Sequence, residues 1–214
     1  MSFDLVIAVD GPAASGKGTV ASRLARHYGL PHLDTGLLYR AVGVGALKQH
    51  GVIDEAGAER VAAHITPAHL NEQDLMTRAA GELASQVAVF PGVRAALLKY
   101  QRDFAAKKGG AVLDGRDIGT VIAPHAPAKL FVTATPEVRA ERRWKQLSGQ
   151  GEGVSLEEVL ADIKRRDERD SGRDAAPLVQ AADAALLDTS QLTIEAAFRE
   201  ACRLVEQVRG SSKG

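Results

Sequence analysis

LVIAVDGPAASGKGT, residues 5–19, joins an unbroken apolar run to a glycine-rich loop. Leu5 to Val9 show no alternation of apolar and polar residues, which suits a strand buried on both faces of a parallel sheet. Gly11 is followed by four residues and then by Gly16, Lys17, Gly18 and Thr19. After a buried strand and before a helix, this is the spacing of a phosphate-binding loop. Glycines let backbone N–H groups turn inward around phosphate oxygens, and the helix N-terminus adds partial positive charge. Gly11, Pro12, Ala13, Ala14, Ser15, Gly16, Lys17, Gly18 and Thr19 are therefore the expected ATP-binding residues, with Lys17 reaching the β and γ phosphates. A plain glycine turn would require neither the lysine nor the spacing.

The residue after Lys17 is a glycine, and the hydroxyl moves one place on, to Thr19. GKGT is the form this loop takes in nucleoside monophosphate kinases, where a second nucleotide comes close to the loop. No NKxD guanine-reading motif occurs in the chain, which argues against a GTPase.

Working outward, strands and helices alternate. A helix follows the loop, with Val20, Leu24 and Tyr28 at helical spacing and Gly29 as its stop. PHLD (31–34) reads as a second strand, AVLDGRD (111–117) as a third strand and turn, AKLFVTA (128–134) as a fourth strand and AALLD (184–188) as a fifth. Helices are expected over 35–51, 54–64 and 72–90, the last ended by Pro91, and again through VRAALLKYQRDFAAKKGG. Thr135-Pro136 opens another as N-cap and first-turn proline. SLEE (155–158) is a capping box whose helix runs to about Arg169, and a final helix covers 193–209. The expectation is a single phosphate-loop kinase domain over 1–214, α/β in class, with a doubly wound parallel sheet of five strands. Two segments break the rhythm. The helical block 35–94 reads as an inserted subdomain, and LSGQGEGVS (147–155) as a mobile lid tip. GSSKG (210–214) reads as a flexible tail.

Lys plus Arg equals Asp plus Glu at 27 each, so a global basic field for a nucleic-acid polymer is absent. No apolar stretch approaches a membrane span, and the first residues lack a signal-peptide pattern. One cysteine, Cys202, excludes an internal disulfide framework and fits a reducing, cytoplasmic setting. It is expected to be buried and inert on the apolar side of the last helix. The six histidines show no metal-ligand pairing.

Six motifs in order, DGPAASGKGT, LDTGLLYR, ASQVAVFPGVR, LDGRDIGTV, IKRRDERDSGRDAAPL and DAALLDTS, make the chain resemble the bacterial cytidylate kinases over nearly its whole length. The resemblance implies a phosphate-loop core, a nucleoside-monophosphate-binding domain and a short lid. It implies transfer of the γ-phosphoryl group of ATP to CMP or dCMP with Mg²⁺, by a monomer. Longer members carry a small antiparallel β insertion before the ASQVA motif. Here only ITPAHLNEQDLMT (65–77) stands there, too short for three strands.

Phosphoryl transfer demands positioning and charge neutralisation. Lys17, Arg40, Arg116, Arg142, Arg143, Arg166 and Arg173 supply cations near loops or the lid. A single arginine is usually a solvated surface charge; Arg116 is harder to dismiss, in a turn straight after a buried strand, where such sheets bind ligands. Asp114 ends that strand and is a candidate for holding Mg²⁺ through water, with the Thr19 hydroxyl as the other metal contact. By resemblance, Arg116 and Arg40 contact the acceptor phosphate and Asp117 faces the base, although Asp also favours turns for its own sake. Lys17, Asp114, Arg116, Arg142 and Arg143 form the expected catalytic group. Arg166, Asp170 and Arg173 fall at i, i+4 and i+7 and share a face if the helix continues through RDSGR; the resemblance puts them on the acceptor nucleoside. The resemblance also implies Ser85 and Arg94 as further sugar and base contacts, and Thr35, where many members have Ser, supplies a hydroxyl. Tyr39 is a packing residue or a ligand contact. Trp144 is expected in helix packing.

Two other functions fit the loop: a small-molecule kinase acting on shikimate, gluconate or UMP, and a non-catalytic nucleotide switch. RRDERDSGR and DGRD count against the first. The second has no guanine motif or partner-binding tail to support it.

Overall fold

The computed structural model describes residues 4–71 and 73–211. Strand β1 (Leu5–Asp10) runs into the glycine loop and helix α1 (Lys17–Tyr28). Gly29 closes α1 in the left-handed conformation. Strand β2 (His32–Asp34), helix α2 (Thr35–His50) and helix α3 (Glu55–Ala62) follow. Helices α4 (Arg78–Val87) and α5 (Pro91–Ala105) lead to strand β3 (Gly110–Gly115). A π-helical turn, Ile118–Ile122, precedes strand β4 (Ala128–Thr133). Helices α6 (Pro136–Gly149) and α7 (Leu156–Ser171), strand β5 (Ala185–Asp188) and helix α8 (Ile194–Ser211) complete the chain.

The sheet has five strands in the order β2-β3-β1-β4-β5. β1 pairs in parallel with β3 and with β4, and β4 in parallel with β5. The first strand therefore lies in the middle, and the chain builds to one side before crossing to the other. In such sheets ligands bind at the carboxyl ends of the strands where the order reverses. The glycine loop follows β1 at that place. Around it, Ile7, Val9, Leu24, Val112, Leu130, Val132 and Val205 form a continuous buried core. Each such side chain contributes about 1.5–3 kcal/mol relative to exposure.

The chain forms two compact units, Asp34–Gln101 and the remainder, Met1–Leu33 with Arg102–Gly214. In the first, α2 packs on α3 and α4, with Gly43 so close to Leu83 that an added Cβ would lie 2.7 Å from its Cβ.

Three readings of the sequence need correction. The helix expected over 72–90 is broken: Thr77 accepts the Ala80 N–H at 3.1 Å and starts α4 afresh, because a threonine oxygen competes for backbone donors at a helix start. Pro91 begins α5 rather than only ending what precedes it, as a first-turn proline can. Segment 65–77, read as too short for three strands, holds two short 3-10 helices, Pro67–Asn71 and Gln73–Met76. Cys202 is half-buried at the edge of the core rather than enclosed. Trp144 packs on the α6–α7 hairpin as expected, its Nε1 donating to the Val154 carbonyl at 3.0 Å. α8 extends to Ser211; the rest of the 210–214 segment lies outside the described residues. No helix among the described residues is long and apolar enough to cross a membrane.

Candidate active site

The loop between β1 and α1 is built on close approach. A Cβ on Gly11 would sit 2.0 Å from the Val132 carbonyl oxygen of the neighbouring strand, so only glycine lets the chain turn there. Gly16 caps α1 at φ 90°, a left-handed conformation that disfavours other residues. Ser15 is buried within the loop. The Lys17 ammonium folds back over it and donates to the Pro12 carbonyl at 3.3 Å.

Asp114, the last residue but one of β3, has 2% of its surface exposed. One carboxylate oxygen lies 2.7 Å from His32 Nε2, and the other faces Gly18, 3.7 Å from where a Cβ would stand. This orients Asp114 toward the start of α1, where Thr19 is exposed. A carboxylate and a hydroxyl are the hard oxygen donors that Mg²⁺ takes, usually beside water and substrate phosphates. No group of three or more His, Cys, Asp or Glu side chains suited to a metal occurs among the described residues. The donor set thus fits an ion shared with phosphates.

Arg116 leaves the turn after β3 and donates from Nε to Asp170 at 2.8 Å. Burial alone would push the Asp170 carboxyl up, but the guanidinium groups of Arg116, Arg166 and Arg173 hold it below the usual carboxylate range. Three cations thus act on one buried carboxylate. α7 ends at Ser171, so Arg173 joins the cluster from beyond the helix rather than from its face. Asp117 is buried, at 4% exposure, beside Asp10.

Arg142 lies against the glycine loop: Nη1 donates to Thr189 Oγ1 at 2.9 Å and Nη2 to the Thr189 carbonyl at 2.7 Å. Thr189 Oγ1 donates to the Ser15 carbonyl at 2.8 Å. Arg143 donates to Gln146 at 2.9 Å. Gly16, Thr19, Arg142, Arg143, Thr189 and Leu192 line part of a cavity of about 450 Å³, its wall combining cationic and apolar side chains.

The 34–101 unit carries the remaining expected residues. Thr35 and Ser85 are buried, and among the described residues the Ser85 hydroxyl makes no hydrogen bond. Tyr39 lies under the Arg94 guanidinium, 5.8 Å from ring centroid to Cζ. Arg40 donates to the Leu75 carbonyl at 2.6 Å and so ties the short 65–77 segment to α2. A larger cavity of about 590 Å³ in this unit is lined by Lys48, His50, Arg60 and His64. It contains none of the expected site residues and no phosphate loop, so it is not the candidate site.

Sequence reasoning missed three residues. Thr189 carries a signal, a hydroxyl straight after a strand at the carboxyl edge of the sheet. Arg139 and Asp10 carry none, since their partners stand far away in sequence. Arg139 is buried and makes a two-pronged pair with Asp167 at 2.9 and 2.6 Å, and it also donates to the carbonyls of Ala134 and Ala13. It therefore fastens the α6–α7 hairpin to the glycine loop. Asp10 accepts the N–H groups of Ile118 at 2.8 Å and Gly119 at 2.7 Å.

Residues 7–207 match the family model described as cytidylate kinase. The chain is 64% identical to the cytidylate kinase of Caulobacter sp. (strain K31), over 98% of this chain and 99% of that one. It is 66% identical to that of Caulobacter vibrioides (strain NA1000 / CB15N), over 95% and 96%. Among solved structures it is similar to an uncharacterized protein from Eubacterium ventriosum ATCC 27560, with a TM-score of 0.58 at 16% identity over 96% and 99% of the two chains. It is also similar to a gluconokinase from Sinorhizobium meliloti 1021, with a TM-score of 0.50 at 18% identity over 99% of each. At such identities these two likenesses concern the fold alone.

Proposed function

Since the chain belongs to the cytidylate kinase family, we propose that it transfers the γ-phosphoryl group of ATP to CMP and dCMP, giving ADP with CDP or dCDP. The observation that carries the reading is the cluster of Arg116, Arg166 and Arg173 around Asp170, in the same compact unit as the phosphate loop. Several guanidinium groups gathered in one place suit the phosphate of a nucleoside monophosphate, which carries about −1.5 to −2 at neutral pH.

The roles follow from charge and position. Backbone N–H groups of residues 11–19 and the Lys17 ammonium hold the β and γ phosphates of ATP. Arg142 and Arg143, at the mouth of the cavity beside the loop, neutralise charge that develops on the transferring group. Arg116 binds the acceptor phosphate, and Arg166, Asp170 and Arg173 orient the nucleoside. On the 34–101 unit, Thr35, Tyr39, Arg40, Ser85 and Arg94 are acceptor-binding residues, a role supported by the buried Ser85 hydroxyl. Thr19 and, through water, Asp114 would hold Mg²⁺, which would supply charge neutralisation at the phosphate oxygens. The reading carries with it a monomer acting in the cytoplasm, in keeping with a single cysteine.

Asp117 reads the base. Cytosine presents an amino donor where uracil presents a carbonyl acceptor, and an ionised carboxylate only accepts hydrogen bonds. A site built on such a bond rejects the analogue by roughly 10⁴-fold. The test is ADP release over CMP, dCMP, UMP, AMP and shikimate, in the wild type and in Asp117→Ala. CMP and dCMP should be the preferred acceptors, and the variant should lose far more kcat/KM for CMP than for UMP. Equal loss on both would remove Asp117 from base reading, and activity on shikimate alone would overturn the assignment of the acceptor.

A further inference from the structure

Asp10 is the last residue of β1, immediately before the phosphate loop, and only 5% of its surface is exposed. Its carboxylate uses both oxygens on one short segment: Oδ1 accepts the Ile118 N–H at 2.8 Å and Oδ2 the Gly119 N–H at 2.7 Å. These are the first two residues of the π-helical turn. The opening N–H groups of any helix have no partner within it and must find one outside. Ordinarily the residue before the helix supplies it. Asp117 stands there and makes no side-chain cap hydrogen bond. Asp10, more than 100 residues away in sequence, does the capping instead.

We propose that Asp10 is a positioning residue for the acceptor nucleotide, locking the turn that bears Arg116 and Asp117 to the strand end that launches the phosphate loop. The proposal rests on the reading that this turn touches CMP. Its physical content is that a single carboxylate fixes the donor-phosphate loop and the acceptor-binding turn with respect to each other. Misplacement by about 1 Å in such a site can cost on the order of 10²-fold in rate. A π-helical turn closed by the bonds Ala123 N–H to Ile118 carbonyl at 2.7 Å and Ile122 N–H to Asp117 carbonyl at 3.2 Å is a wide, poorly favoured loop. It is held at its open end by Asp10.

The charged groups that face Asp10 come from three directions. Asp117, in the turn, repels it, and Lys17, at the start of α1, attracts it. Lys129, from β4, packs its methylene chain against Gly119, 3.1 Å from where a Cβ would stand, while its ammonium pairs with Asp183 at 2.8 Å. Burial is the largest influence on Asp10 and, with Asp117, pushes its carboxyl up to about 6 against the two N–H groups and Lys17. Protonation removes one of the two acceptors, so the turn should loosen as the pH falls through this value.

The experiment is steady-state kinetics on the full chain, comparing wild type, Asp10→Asn, Gly119→Ala and Asp117→Ala. Asparagine keeps the shape but offers one acceptor oxygen and a donor. Gly119→Ala leaves the charge intact and crowds Oδ2, 3.3 Å from the new Cβ. For Asp10→Asn, KM for CMP should rise about 10–100-fold, while KM for ATP stays within about threefold and serves as the check on folding. Gly119→Ala should move KM for CMP in the same direction by less. Below about pH 6, wild-type KM for CMP should rise by more than titration of the CMP phosphate accounts for, and this excess should vanish in Asp10→Asn. Unchanged KM for CMP in both variants, or KM for CMP and ATP rising together, overturns the proposal. Asp117→Ala separates it from the reading beneath it. If that variant keeps its CMP preference while Asp10→Asn loses affinity for CMP, base reading by Asp117 fails and positioning, through Arg116, stands.

Discussion

At the scale of single residues, the glycine loop concentrates the function. Among the described residues, a Cβ at Gly18 would meet only Asp114 Oδ2, at an ordinary 3.7 Å, so packing does not demand a glycine there. The space it leaves suits the proposed approach of two nucleotides to one loop. Lys17 is the loop's only side-chain cation. It aims back across the loop at the Pro12 carbonyl, the position from which it can exchange that weak partner for phosphate oxygens. Removing a donor of this kind from a water-excluded site typically costs about 10²–10³-fold in rate. Lys17→Ala is expected to lose kcat by that factor while keeping a cooperative thermal transition near that of the wild type, because its hydrogen bond to the Pro12 carbonyl is long at 3.3 Å. Turnover within a few-fold of wild type would remove the loop from the chemistry. The loop and Lys17 were legible in sequence because spacing alone defines them. Asp10 and Arg139 were not, because each acts on backbone groups that only the fold brings near.

At the scale of elements, the α6–α7 hairpin is the segment that the proposed function expects to move. It is fastened at its base, where Arg139 bridges Asp167, Ala134 and Ala13. It is fastened again near its tip, where Leu147 is buried and Trp144 and Val154 pack on the cluster of Val159 and Ile163. The lid expected over 147–155 is therefore anchored at Leu147 and Val154, which leaves 148–153 as the part able to move. Hydrogen exchange should be fast across 148–153 in the ligand-free protein and slow on addition of ATP and CMP together. Leu147 and the helices on either side should be protected throughout. Exchange indifferent to both nucleotides would show that the tip is a plain turn. Local grammar made this hairpin readable in advance: Thr135-Pro136 and the Ser155–Glu158 capping box are both formed. The same grammar failed over 72–90. There an apolar-periodic stretch concealed Thr77 as a new start, because a threonine in a helical pattern looks neutral until its oxygen finds a donor.

At the scale of the whole molecule, the alternation of strands and helices made the parallel sheet legible, but not the burial of charge that its crossing point imposes. Two carboxylates lie there with opposite linkage to folding. Asp170, surrounded by arginines, has a folded value below the usual carboxylate range. Its contribution is present above the ordinary carboxylate value and is lost as the pH falls through the folded one. Asp10 runs the other way: burial first, then Asp117, raise it from 3.8 to about 6. Between these values the folded protein binds the proton more tightly than the unfolded chain, so stability declines as the pH climbs through the window and levels off above it. A displacement of this size corresponds to about 3 kcal/mol at most. The charged form that holds the turn is thus the form that costs stability. Urea unfolding of the wild type and of Asp10→Asn from about pH 4 to 7 isolates the effect, because every other group is common to both. The wild type should lose stability relative to the variant between about pH 4 and 6, with no further relative change above about pH 7. A difference independent of pH would mean that Asp10 ionises as freely in the fold as in the unfolded chain, so that its two backbone donors and Lys17 fully offset its burial.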